Sequence, residues 1–189
     1  MKFFSLFSRL GFSNTYLIGP DKGGGAVLVD PGAFDAPLLQ AVEGNHLEVR
    51  WILITHAHNS HINGVRGLLK VYDAEIFSNQ PSVLDFPAHH VQDGDRLQLG
   101  ELAVDVIETP GHSIDSLCFS TGALVFTGDT LFAGSIGTTR DGYARGLLLE
   151  SIRRKLLSLG DEALIFPGHG PPTKVGIEKL YNPLLGEKL

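Results

Sequence analysis

Residues 55–64 read THAHNSHING, which puts His56, His58 and His61 directly after the apolar run RWILI. Residues two apart on an extended segment project to the same side, so His56 and His58 can share one ion. Imidazole and carboxylate hold borderline divalent cations, and zinc takes His nitrogen at about 2.0–2.1 Å, usually with four ligands. His61 lies beyond that pair, at the start of the following helix, and suits a neighbouring ion. Three further candidates follow strand-like runs: His112 in TPGHS, Asp129 in TGDT and His169 in PGHG. A carboxylate between two cation positions can bridge them, and that is the natural role for Asp129. Taken singly, each residue reads as an ordinary turn residue, and that reading is kept for His46, His89 and His90. The combination decides otherwise. Five of the 8 histidines lie in three strand-end segments, each with the Gly or Pro that lets the backbone turn sharply.

Positioning these groups requires strands that end together. MKFFSLFSRL reads as a first strand, then NTYLIG and GGAVLVD as a pair across a Gly-rich turn. FDAPLLQAVE is expected to be a short helix, and VRWILIT a continuous apolar strand of the kind buried on both faces. Val65, Leu68, Leu69 and Tyr72 fall at helical spacing over 63–72, and AEIFS returns as a strand. LAVDVIE alternates strictly, while SLCFS and ALVFTGD are strands separated by a turn at Thr121 and Gly122. Leu148, Ile152, Leu156 and Leu159 make one face of a long helix that Gly160 closes in a left-handed conformation. ALIFPGHG is expected to be the last strand. Strand ends in a layered α/β domain gather along one edge, so segments far apart in sequence can aim at one point.

With 189 residues, 43% of them hydrophobic, the chain suits one compact domain over 1–189. Cys118 is the only cysteine, so neither a disulfide framework nor a thiolate zinc site is available. A cytoplasmic location is compatible with that composition. The interrupted N-terminal apolar patch is not read as a signal peptide, and no stretch approaches the roughly 20 apolar residues that span a membrane. A net charge of −6 argues against a broad nucleic-acid surface.

THAHNSHING, TPGHS, TGDTLFAGSIG and PGHGPPT, in that order, resemble the metallo-β-lactamase fold, and GDTLFAGSIG resembles more narrowly its glyoxalase II (hydroxyacylglutathione hydrolase) branch. The resemblance runs from SNTYLIG and LVDPG to GIEKLYNPLL. It implies an α/β, four-layer αββα sandwich with the site at one edge. It implies that His56, His58 and His112 hold a first metal, that His61 and His169 serve a second, and that Asp129 bridges. Asp30 and Thr55 would orient ligands without binding metal. The implied substrate is a small acyl-thioester of glutathione or a similar thiol, and the implied cofactor is Zn²⁺, with Fe or Mn as alternatives.

The family pattern is T-H-x-H-x-D-H, and Ser60 stands where it has Asp. That Asp normally ligates the second metal and helps orient the attacking water, so the catalytic position is occupied by a neutral hydroxyl. One tightly held ion is expected, with the second position weak or empty. Ser60 itself is expected to cap the following helix, and Asn59 offers an amide oxygen as a poorly placed substitute ligand. Thr138 stands where related sequences have Arg, and Arg140 near where they have Asp, so the substrate loop is rewritten. Nor is there room for the helical glutathione-binding domain of longer glyoxalase II enzymes. Two alternatives follow. One is a mononuclear iron oxygenase resembling persulfide dioxygenases, using His56, His112 and Asp129. The other is a catalytically impaired metal-binding module.

Overall fold

The computed structural model describes residues 1–186, so the last three residues of the expected 1–189 domain lie outside it. The chain begins with β1 (Lys2–Ser8), β2 (Ser13–Gly19) and β3 (Gly24–Val29), followed by α1 (Ala36–Glu43) and β4 (Leu47–Leu53). Two short helices, α2 (Asn59–Ile62) and α3 (Val65–Leu68), lead to β5 (Glu75–Ser78) and the small strands β6 (Ser82–Val83), β7 (Phe86–Pro87) and β8 (His89–His90). Next come β9 (Arg96–Leu99), β10 (Leu102–Glu108), β11 (Leu117–Thr121) and β12 (Leu124–Gly128). The hairpin of β13 (Leu131–Phe132) and β14 (Ser135–Ile136) precedes α4 (Gly142–Ser151). The last elements are β15 (Leu164–Pro167), β16 (Thr173–Lys174) and α5 (Val175–Tyr181).

Two six-stranded sheets result, in the orders β1-β2-β3-β4-β5-β8 and β16-β15-β12-β11-β10-β9. Alternation along the strands decides what each face buries. Tyr16, Ile18, Val27, Val29 and Leu53 of the first sheet pack with Val106, Leu117, Phe119, Phe126 and Phe166 of the second. Their neighbours turn the other way. Leu17, Leu28 and Ile52 meet Leu38 and Val42 of α1 and Val65 and Leu68 of α3. On the far side, Cys118, Val125 and Ile165 meet Leu148 of α4 and Val175 of α5. Helices therefore cover both outer faces of a sheet pair, the expected four-layer sandwich, and central strands buried on two faces read as unbroken apolar runs. Each large apolar side chain so buried contributes about 1.5–3 kcal/mol. No described helix is long and apolar enough to cross a membrane.

Several local expectations are corrected. The helix expected over 63–72 is confined to α3, Val65–Leu68: the N–H of Gly64 reaches the Pro31 carbonyl at 2.8 Å, separating α3 from α2 before it. The long helix after 148 is α-helical only to Ser151. It then widens into a π turn over Ile152–Leu156 and tightens over Leu157–Leu159, leaving Leu159 exposed. Gly160 has φ 94° but ψ 148°, so it ends the segment in an extended glycine-only conformation and not in the left-handed cap. ALIFPGHG is not the last strand, because β16 follows and pairs antiparallel with β15.

Candidate metal centre

The site lies where strands of both sheets end. β3 and β4 run parallel, which brings Asp30 beside Thr55 and His56; β12 and β15 run parallel, which brings Asp129 beside His169. The Leu117 N–H donates to the Thr55 carbonyl at 2.7 Å and so ties the two sheets at this edge. Core packing reaches the same edge. The Tyr16 hydroxyl, anchored among Phe3, Phe126 and Phe166, donates to the Pro167 carbonyl at 2.5 Å, directly before Gly168 and His169.

Four expected residues converge first. His56, His58, His112 and Asp129 each offer a ligand atom, all within 4.8 Å of one another. His58 Nδ1 lies 2.9 Å from His56 Nε2 and 3.1 Å from His112 Nε2. Asp129 Oδ2 lies 3.8 Å from His56 Nε2 and 3.6 Å from His112 Nε2. A second group is formed by His61, His169 and the same Asp129, again within 4.8 Å. His61 Nε2 is 3.4 Å from Asp129 Oδ1, and His169 Nε2 is 3.5 Å from Oδ2. Asp129 thus stands between the groups with one oxygen turned toward His61.

The outward nitrogens are fixed by the protein. Thr55 Oγ1 donates to Asp30 Oδ2 at 2.6 Å and so receives the N–H of His56 Nδ1 at 3.1 Å. His61 Nδ1 donates to the same Asp30 oxygen at 3.0 Å. Backbone carbonyls do the rest: that of Thr138 accepts from His112 Nδ1 at 2.8 Å, and that of Phe12 from His169 Nδ1 at 2.8 Å. Four imidazoles consequently present Nε2 inward, the arrangement that orients metal-binding histidines. Asp30 and Thr55 thus lie directly behind His56 and His61.

A cation fits these donors on structural grounds. Among the described residues only three buried side-chain atoms lack a hydrogen-bond partner, and two of them are His61 Nε2 and Asp129 Oδ1. Buried polar atoms left unpaired are costly, and both of these belong to the second group, where an ion would satisfy them. Electrostatics agree. Burial, reinforced by His61, pushes His56 down to about 3 and keeps it neutral, as a ligand must be. Burial also works against charge on His61, but Asp30 and Asp129 outweigh it and hold that ring protonated up to about 10. Asp129 is kept far below the usual carboxylate range: desolvation opposes this, but the nearby His169 and His61 rings, 3.5 and 3.4 Å away, prevail.

Ser60, half-buried beside His61, brings no carboxylate to either group. Its expected capping role is not met, since α2 starts at Asn59 and Ser60 lies within its first turn. Its carbonyl instead accepts from Ser13 Oγ at 2.6 Å, and a Cβ on Gly11 would come within 2.9 Å of its Cα, so the β1–β2 hairpin sits directly on it. Asn59 is exposed and belongs to neither group. Thr138 and Arg140 are exposed on the segment after β14. His46, His89 and His90 lie elsewhere: the first in the turn before β4, the others on β8, where His89 pairs with Glu75 at 2.8 Å.

Asp115 was not among the expected residues. It is buried, takes the Ala57 N–H at 3.0 Å, and accepts from the Ser113 hydroxyl, so one carboxylate joins the His56/His58 segment to the His112 turn. The signal was an acid three residues beyond His112 in GHSID. Gly168 is also specific to the site, because a Cβ there would lie 2.5 Å from Asp129 Oδ1 and 2.6 Å from His61 Cε1. Gly168→Ala should cost about 1–3 kcal/mol, the range for overpacking, and weaken metal binding in parallel. Thermal melts with and without added metal check this; an unchanged melting temperature and metal content would show that the cluster has room to relax.

Comparisons with known proteins place this geometry. Hydroxyacylglutathione hydrolase GloC of Haemophilus influenzae is 32% identical over 201 residues, covering 93% of each chain. Among solved structures, ETHE1 from Myxococcus xanthus superposes with a TM-score of 0.89 at 32% identity, covering 100% of this chain and 86% of that one. TTHA1623, solved in a di-iron-bound form, gives 0.81 at 32% identity over 96% of this chain and 100% of that one. The family pattern of the metallo-beta-lactamase superfamily matches residues 8–169, from the end of β1 to the last histidine of the cluster, and to that superfamily the chain belongs.

Proposed function

We propose that the protein is a single-domain, metal-dependent hydrolase of small acyl-thioesters that works with one tightly held divalent ion, Zn²⁺ by preference. The observation that carries this reading is the convergence of His56, His58, His112 and Asp129 within 4.8 Å, beside a second group of His61, Asp129 and His169 to which the neighbouring Ser60 adds no carboxylate. When bound, a divalent ion supplies Lewis acidity and lowers the pKa of water toward about 7. The residues do the rest. His56, His58 and His112 fix the position of the charge, and Asp129 Oδ2 completes the set. Asp129 Oδ1 faces His61 at 3.4 Å, in the second group. A thioester suits the site because a thiolate leaves with little protonation. The relationship to GloC supports hydrolysis, and the acidic balance and buried Cys118 thiol suit a cytoplasmic protein without nucleic-acid or membrane partners. Steady-state hydrolysis of S-acyl thiols by the zinc-loaded protein tests the proposal. Turnover lost on chelation and restored by zinc supports it, whereas no turnover with any thiol opposes it.

A second reading is favoured by the completeness of the first group, which needs no second ion. An iron oxygenase using His56, His112 and Asp129 has all its ligands here. Oxygen uptake by the iron-loaded protein with a persulfide separates this from thioester hydrolysis.

The second group carries a pH prediction. A raised pKa means that His61 still holds its proton at neutral pH in the metal-free protein. A second ion must displace that proton, so its apparent affinity rises with pH, up to about tenfold per unit while His61 stays protonated. Calorimetric titration of the one-ion form at pH 6 and pH 9 checks the sign. Equal affinity at both values would mean that His61 does not ligate.

A further inference from the structure

Of the six large apolar or aromatic side chains most exposed among the described residues, four flank the metal cluster: Leu10 at 80%, Phe12 at 71%, Ile114 at 83% and Tyr143 at 76%. Single exposed apolar residues are common, but a group gathered around one functional cluster marks a binding surface. Each flank is joined to the cluster through its neighbours. Leu10 and Phe12 form the tip of the β1–β2 hairpin, where Gly11 rests on Ser60 and the Phe12 carbonyl accepts from His169 Nδ1 at 2.8 Å. Phe12 is held there with φ 50°, a left-handed conformation that bulky residues rarely adopt. On the other flank, Ile114 and Tyr143 line a cleft of about 280 Å³ whose wall includes His112, Ser113, Leu147 and Arg140. Asp141 caps α4 through the Ala144 N–H and engages Arg140 Nε at 3.2 Å, leaving the terminal amines of Arg140 for the polar end of a ligand.

We infer that this rim receives the hydrocarbon part of the substrate, so that the preferred thioesters carry medium-length apolar acyl groups and not short polar ones. The inference rests on the hydrolase reading above and names its substrate class. The hairpin tip adjoins the cluster at His169 and the cleft adjoins it at His112, so a molecule bound there has apolar side chains on both flanks. Methylenes buried there contribute up to about 0.8 kcal/mol each, close to fourfold in binding.

The test uses the zinc-loaded protein with S-acetyl, S-butyryl and S-octanoyl thioesters of N-acetylcysteamine. The expected kcat/KM for octanoyl exceeds that for acetyl by at least about tenfold, and Leu10→Ser lowers this ratio about fivefold, a partial loss of leucine burial. Phe12→Ser acts likewise on the ratio. A flat chain-length profile, or a ratio unaltered in both variants, overturns the inference while leaving thioester hydrolysis intact. If no thioester is cleaved, the hydrolase reading fails. Binding of octanoate over acetate, measured by calorimetry, then decides the rim by itself: equal affinities overturn it, and a tenfold preference lost in Leu10→Ser supports it. Sedimentation guards against another occupant. A parent dimer that becomes monomeric in Leu10→Ser, with the ratio unchanged, would assign the rim to a second copy of the chain and overturn the inference.

Discussion

Ser60→Asp should bind a second divalent ion and hydrolyse thioesters about 10²-fold faster than the parent chain, the lower end of what a positioned acid–base group contributes. The geometry gives two reasons. Position 60 is half-buried next to His61, close to the second group, so a carboxylate adds a ligand and a negative charge where only Asp129 now opposes the cations. It also supplies a water-orienting oxygen that Ser60 lacks. The β1–β2 hairpin is the constraint, because Gly11 already lies against Ser60. The larger side chain must therefore leave toward the cluster or displace the hairpin tip. Metal analysis and kcat/KM measured together decide the outcome. A second equivalent without any gain in rate would locate the deficit elsewhere, in the rewritten segment around Thr138 and Arg140. Failure to bind a second ion would mean that His61 and His169 serve only to hold Asp129.

The second large effect is expected from Asp129→Asn, which keeps shape and removes charge from the one residue common to both groups. Metal affinity should fall by more than about 100-fold, beyond the 10–100-fold that loss of an orienting partner costs, and thioester hydrolysis should fall with it. Asp30→Asn, one step removed from the ion, should stay inside that smaller range. In chelator Asp129→Asn should also lose stability. The protonated His61 lies between Asp30 at 3.0 Å and Asp129 at 3.4 Å, and removing one carboxylate of a buried pair costs about 3–5 kcal/mol. The sign follows from the depressed Asp129 pKa: its stabilisation is complete above the ordinary carboxylate range and disappears as pH falls through the folded value. Equal melting temperatures in chelator, with metal affinity intact, would remove Asp129 from the centre of the account.

Much of the site was legible because it is built from loud residue types. Histidines at i and i+2 after an apolar run, and three Gly-containing turns after other strands, carry their own position in the fold. LAVDVIE was readable because alternating burial leaves a visible pattern, and NTYLIG, buried throughout, because a Gly-rich turn joins it to GGAVLVD. What stayed hidden depends on contacts remote in sequence. The break between α2 and α3 comes from Gly64 turning to Pro31, and the π turn after Ser151 keeps Ile152 and Leu156 buried at a spacing that an α-helical pattern also satisfies. Carbonyls leave no trace in residue type, so the roles of Phe12 and Thr138 in holding His169 and His112 could not be read from their side chains. Ser60 misled for a related reason. A serine near a helix start suggests a cap, but here its backbone, not its hydroxyl, answers to the hairpin.

The central claim is that one cation is shared by His56, His58, His112 and Asp129, with the neighbouring position weak. Anomalous diffraction from crystals of protein purified without chelator or added metal tests it most directly. The account predicts one strong peak enclosed by those four side chains, and little or none between His61, Asp129 and His169. Two peaks of equal, full occupancy, or a single peak outside the four, would contradict it.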